Sequence, residues 1–153
     1  MIKYVSFFIA AWFVLITYPA IACEESGRES LESNLQKWKS TGWSRYSFVL
    51  ERQCFCPPEY RKATRIFVTD GKVVNANYVD TNGKAAVPAD VLADLTTIED
   101  WFEVIRKAQE RKADRLNVMY DSELGYPNEI EIDMRARRAD DEQSVVITKV
   151  TQE

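Results

Sequence analysis

The chain has 153 residues, a one-domain length, with 29% charged and 46% hydrophobic residues, which excludes a disordered or fibrous protein. Its 20 Lys and Arg against 24 Asp and Glu give a net charge of -4, arguing against a general nucleic-acid binder, which needs a cationic face to displace counterions. Histidine is absent, which removes Ser-His-Asp and Cys-His catalysis and imidazole zinc sites, and the five glycines form no phosphate loop or dinucleotide fingerprint.

Lys3 precedes an apolar stretch from Tyr4 to Ile16, and Pro19 follows it. Ala20-Ile21-Ala22 then places small residues at the two positions a signal peptidase reads. The run is shorter than the roughly 20 residues needed to cross a bilayer. Residues 1–22 are therefore predicted to be a secretory signal. Cys23 comes directly after it. A cysteine there is the acyl acceptor of a bacterial lipoprotein, although Ala20 stands where such signals usually carry Leu. Lipid anchoring through Cys23 and plain secretion both stand as readings. Acylation would remove the odd thiol that three cysteines leave in an oxidising compartment. The expected location is the periplasm, or a membrane-anchored position on its periplasmic or outer side, with secretion as the alternative.

Residues 23–29 are polar and read as a tether, and residues 30–153 as a single domain. Leu31, Leu35 and Trp38 recur at helical spacing, so Ser30 to Ser40 is predicted to be an amphipathic helix with Ser30 at its N-cap. Tyr46, Phe48 and Leu50 alternate at strand period and run into Cys54-Phe55-Cys56, where Pro57-Pro58 halts the strand. Thr64 to Thr69 and Lys72 to Val79 are two strands joined by Asp70-Gly71, a two-residue hairpin turn. Thr96-Thr97-Ile98-Glu99 reads as a capping box for a helix whose buried face is Ile98, Trp101, Phe102, Ile105 and Ala108. Three more strands follow, at Leu116 to Tyr120, around Ile130 and Ile132, and from Ser144 to Val150.

The order is thus α-β-β-β-α-β-β-β. Strands with one polar face imply a mainly antiparallel sheet of about six strands with one wet side. Two helices on the apolar face make this an α+β two-layer sandwich.

Several segments resemble one family together: Trp43 to Tyr46 leading into Cys54-Phe55-Cys56-Pro57-Pro58, Asp70-Gly71-Lys72-Val73, Thr97 to Phe102, and Tyr120-Asp121 through Gly125-Tyr126-Pro127 to Asp133. The combination is similar to the bacterial exported proteins grouped as domain-of-unknown-function family 6174. Trp101 departs from the aliphatic residue expected there. The resemblance implies exported or lipid-anchored proteins without an established activity, and it supplies no catalytic residues.

Cys54 and Cys56 are the most chemical pair. On an extended strand they share a face with Cα atoms about 7 Å apart, the upper limit for a disulfide, so bonding needs a bulge or turn. The pair reads first as a local staple. The other readings are an easily reduced redox pair, a two-thiolate site for a soft cation such as Cu(I), and two free thiols. Asp121, Gly125, Tyr126 and Pro127 form a shaped hairpin, read either as a recognition loop presenting Tyr126 or as a structural turn with a packed ring. Glu129, Glu131 and Asp133 are expected to be solvated charges on a wet face, and Trp38, Trp43, Trp101 and Phe102 read as core, with Trp43 after Gly42 alone among them open to exposure. The function expected is a non-enzymatic binding or structural module of the cell envelope, with an unknown envelope protein or ligand as partner. No cofactor, metal site or catalytic residue is expected. The alternative is a thiol-redox or soft-metal factor using Cys54 and Cys56.

Overall fold

The computed structural model describes residues 22–79, 85–135 and 142–153, with side chains from residue 30 onward. The signal expected over 1–22, apart from Ala22, the Asn82-Gly83 loop and the Arg137-Arg138 group lie outside these residues. Among the described residues, no helix is long and apolar enough to cross a membrane.

The strands are β1 (Arg45–Cys54), β2 (Thr64–Thr69), β3 (Lys72–Tyr78), β4 (Arg115–Tyr120), β5 (Pro127–Asp133) and β6 (Glu142–Gln152). They form one sheet in the order β3-β2-β1-β6-β5-β4, with every neighbouring pair antiparallel. The helices are α1 (Ala22–Ser40), α2 (Pro58–Arg61), α3 (Ala89–Ala93) and α4 (Ile98–Glu110). After β3 at one edge, the chain passes through α3 and α4 and re-enters the sheet at the opposite edge as β4. It finishes in the middle, beside β1.

The expected order of elements is corrected by α2 and α3. Each is about one turn long, too short to show a helical period, and each is set by proline: Pro58 opens α2 and Pro88 is the N-cap of α3. A second correction concerns α1, which begins at Ala22. Ser30 therefore lies inside the helix, where its carbonyl accepts hydrogen bonds from Ser33 Oγ at 3.1 Å and Asn34 Nδ2 at 2.8 Å. The backbone of residues 23–29 is helical.

The capping box of α4 is displaced by one residue from the expected position. Thr97 is the N-cap: its hydroxyl accepts from Asp100 N at 3.1 Å, while the Asp100 carboxylate accepts from Thr97 N at 3.0 Å. Glu99 is engaged elsewhere. Its carboxylate accepts from Trp38 Nε1 at 2.7 Å and from the Tyr46 hydroxyl at 2.5 Å. The Tyr46 oxygen in turn accepts from Ile98 N at 3.2 Å. One carboxylate thus links α1, α4 and β1. The far end of α4 closes with Lys112 at φ +54°, where Lys112 N reaches Gln109 O and Ala113 N reaches Ala108 O, both at 3.0 Å. That pattern of two reverse bonds is a Schellman motif.

Buried side chains of α1 (Leu31, Leu35, Trp38) and of α4 (Ile98, Trp101, Phe102, Ile105, Ala108) join Tyr46, Phe48, Leu50, Ile66, Ile130, Ile132 and Ile147 in one core. The Asp70-Gly71 hairpin has positive φ at both positions, +50° and +70°, as its sequence predicts. The outer sheet face is not uniformly wet, contrary to expectation. Ser47 and Val49 are fully covered there. Ser47 Oγ donates to Glu153 at 2.6 Å and lies 3.1 Å from Thr151 Oγ1, which satisfies a hydroxyl that burial would otherwise penalise. Val49, 2% exposed, sits in register between Arg65 and Thr148.

Candidate functional site

The outer face of the sheet ends where β1 leaves it. Gln53 is paired with Ser144 and Cys54 with Gln143, and the chain then bends at Phe55 and Cys56 before Pro57 and α2. The bend brings the Cα atoms of Cys54 and Cys56 to 5.3 Å, with the sulfurs at bonding distance. This is the turn that the cysteine spacing requires. Between the two cysteines, Phe55 projects into solvent with 88% of its surface exposed, the most exposed large apolar side chain among the described residues.

The segment beyond the bend is held in place. Tyr60 N donates to Pro57 O at 3.0 Å, the Tyr78 hydroxyl donates to Glu59 O at 3.3 Å, and the Lys62 ammonium lies 4.9 Å from the centre of the Tyr78 ring. On the core side, the Arg52 guanidinium lies over Trp101, 5.8 Å from the ring centre, and Nη2 donates to Asp94 O at 3.1 Å. Burial lowers the Arg52 pKa, and the charge of Asp94 opposes that shift.

Beside Phe55 is a groove of about 320 Å³, comparable with small-ligand sites. Strand register builds its floor. Gln53, Ser144 and Glu131 fall on one row across β1, β6 and β5, and Glu142, Asp133 and Arg115 on the next across β6, β5 and β4. All six line the groove with Cys54 and Phe55. Glu131 is half-buried and accepts from Asn117 Nδ2 at 3.1 Å. Asp133 is only 3% exposed, which corrects the expectation of a solvated charge. Its Oδ1 accepts from Arg135 N at 2.9 Å. Among the described residues, the ion pairs within 4.0 Å are those of Arg106 with Glu32 and Glu103, so the groove carboxylates have none. No three of the described acids and cysteines are placed to hold a metal ion.

The hairpin at Asp121 lies elsewhere, docked on α1. Asp121 Oδ1 accepts from Glu123 N at 3.0 Å and Leu124 N at 2.7 Å, Gly125 N donates to Asp121 O at 3.0 Å, and Lys37 Nζ reaches Ser122 O at 2.9 Å. Tyr126 is 9% exposed, with its ring edge-on to Trp38 at 6.3 Å, so the ring is packed and not presented. Burial, then the charge and hydrogen bond of Asp121, raises its pKa. Pro127 opens β5 opposite Tyr120. Trp43 is half-buried with its ring edge-on to Trp38 at 5.9 Å. Cys23 lies in the first turn of α1. Sequence reasoning named the two cysteines but passed over Phe55 between them. The signal was an aromatic residue at a strand end that Pro57-Pro58 prevents from continuing.

Residues 30–152 match the model of a family of unknown function, DUF6174. The chain belongs to that family. The match runs from within α1 to the end of β6, so every strand and every groove residue of this DUF6174 domain falls inside the family's span. No curated protein and no solved structure matches the chain.

Proposed function

We propose that this DUF6174 protein is an exported, non-enzymatic binding module of the cell envelope, tethered through Cys23 where that cysteine is acylated and otherwise secreted. The observation that carries the binding reading is Phe55, an aromatic side chain 88% exposed at the mouth of a polar groove. Aromatic rings are enriched among the residues that anchor protein interfaces, and this one is free to be covered. Its mount is short and tied to Cys54 and Cys56, so little side-chain and loop entropy is lost when it is covered. The domain behind it reads as a two-layer α+β sandwich. Supporting that arrangement are the alternation of Tyr46, Phe48 and Leu50 toward the core and the contacts of α4 with α1, β4 and β5.

The export half is tested by the intact mass of the protein recovered from membrane and medium, with and without alkylation. The expected mass corresponds to cleavage after Ala22, with or without acylated Cys23, and to two unalkylated sulfurs at Cys54 and Cys56. Recovery of residues 1–153 intact would overturn it. The binding half is tested by a photoreactive phenylalanine at position 55 in living cells, which is expected to capture a discrete partner, whereas labelling by water alone would count against it.

A second reading, a thiol-redox or soft-metal factor, is favoured by Cys54 and Cys56, two half-buried residues whose sulfurs lie at bonding distance in a three-residue ring. If Cys54→Ser with Cys56→Ser abolishes a redox or Cu(I)-binding readout in a folded protein, that reading replaces the first.

A further inference from the structure

We infer that the protein pairs with a second copy of itself through the open edge of its sheet, β4 lying antiparallel to β4 about a two-fold axis at Val118. This goes beyond the binding-module reading and does not depend on it.

The chain treats the two edges of its sheet differently. Along β3, Tyr78 N donates to Ala85 O at 3.1 Å and Val87 N donates to Ala76 O at 3.4 Å, so residues 85–87 cover part of that edge. Among the described residues, β4 pairs with β5 alone. Its sequence, Arg115-Leu116-Asn117-Val118-Met119-Tyr120, holds neither the Pro nor the Lys that blunts many sheet edges. The register shift at Met119 and Tyr120 puts the extra residue, Asn128, on β5, so β4 itself is free of a bulge. Leu116, Val118 and Tyr120 are half-buried against the core, and Met119 is 60% exposed on the opposite face. The edge is thus apolar on both faces.

Backbone parity and charge select the partner. Asp121 N donates to Tyr126 O at 2.8 Å and Asp121 O accepts from Gly125 N at 3.0 Å, so both groups face β5. Backbone groups alternate in direction along a strand, which turns those of Tyr120, Val118 and Leu116 outward. A two-fold axis at Val118 sets Val118 against its own copy and Leu116 against Tyr120, so each outward N–H meets an outward C=O. The same axis sets Arg115 of each copy opposite Asp121 of the other, and Arg115 has no ion pair among the described residues. An axis at Asn117 also matches the backbone, but it sets Arg115 against Met119, so charge favours Val118. The axis stands perpendicular to the sheet, which joins Leu116, Val118 and Tyr120 of both copies in one apolar row. Glu131 and Glu129, in register with Asn117 and Met119, face each other across the seam at three strand spacings, about 14 Å. That exceeds the screening length of about 8 Å at physiological salt, so these acids do not oppose the pairing.

A seam of one short strand is a small interface, below about 1,200 Å², so the dimer is expected to be weak. Sedimentation equilibrium of the purified protein from about 1 μM to about 1 mM is expected to show monomer passing into dimer. Over the same range, amide hydrogen exchange is expected to slow at Leu116, Val118 and Tyr120 and to stay unchanged at Asn117 and Met119. Cα atoms directly opposite in a hydrogen-bonded pair lie about 5.5 Å apart, within reach of a disulfide. Val118→Cys is therefore expected to cross-link to its copy on oxidation, while Asn117→Cys cross-links no more than the parent. Arg115→Gln is expected to weaken the dimer about threefold. Unchanged unfolding midpoints in dilute solution show that these variants fold.

A monomer at every concentration overturns the inference. So does a dimer whose protection appears on β3 in place of β4, or cross-linking at position 117 equal to that at 118. Assemblies that grow past the dimer overturn it too, because they require one edge to meet the other and not itself.

Discussion

At the scale of single residues, Glu99 does more for this fold than its sequence position announces. Trp38 and Tyr46 are both almost wholly buried, and both direct their one polar hydrogen at its carboxylate. Glu99→Ala would strand the two donors, so a loss of about 2–4 kcal/mol is expected in urea unfolding. The same contact makes the protein sensitive to alkali. Burial first, then the hydrogen bond and charge of Glu99, raises the Tyr46 pKa far above its ordinary 10.0. The folded state therefore holds its phenolic proton while the unfolded chain releases it. Through Tyr46 alone, stability is unaffected below pH 10 and falls above it by about 1.4 kcal/mol per pH unit, measurable as a declining unfolding midpoint. Burial also raises Tyr120, to about 12 from 10.0, so Tyr120→Phe is expected to make the decline shallower between those two values.

Among the elements, two backbone positions with positive φ pull in opposite directions. Gly125, at φ +79°, backs onto α1 so closely that an added Cβ would lie 2.6 Å from Asn34 O and 2.9 Å from Lys37 Cβ. Gly125→Ala must therefore displace a helix as well as strain the turn, and should cost about 2–3 kcal/mol. Lys112 holds the left-handed position at the end of α4 with an exposed side chain. Lys112→Gly should gain about 0.5–1 kcal/mol. Chemical denaturation of the two variants against the parent checks both signs.

These elements also mark what the residue pattern revealed. The α4 stripe and the Asp70-Gly71 turn were legible because each follows from chemistry within one element. The short helices α2 and α3 were not, since one turn has no period. The burial of Ser47 and Asp133 was hidden for another reason: it depends on strands brought beside β1 and β5 from elsewhere in the chain. The groove belongs to this second kind. Cys54-Phe55-Cys56 could be picked out in the sequence, whereas the meeting of Arg115, Asp133 and Glu142 exists only through register.

For the molecule as a whole, the cysteine pair should matter little to stability. A ring of three residues removes only about 1.5 kcal/mol of unfolded-state entropy. Reduction by dithiothreitol is accordingly expected to shift the melting temperature by no more than about 10 °C, and a collapse of the fold would contradict this. The sheet is assembled from two hairpin-linked groups, β1-β2-β3 and β4-β5-β6, and they meet only where β6 pairs with β1. That seam joins Leu50 to Ile147 and Cys54 to Gln143, nearly the full span of the domain in sequence. Contacts of such separation fold slowly. A ribosome delivering this chain hands over the keystone last, and until residues 142–152 emerge β1 keeps an open edge.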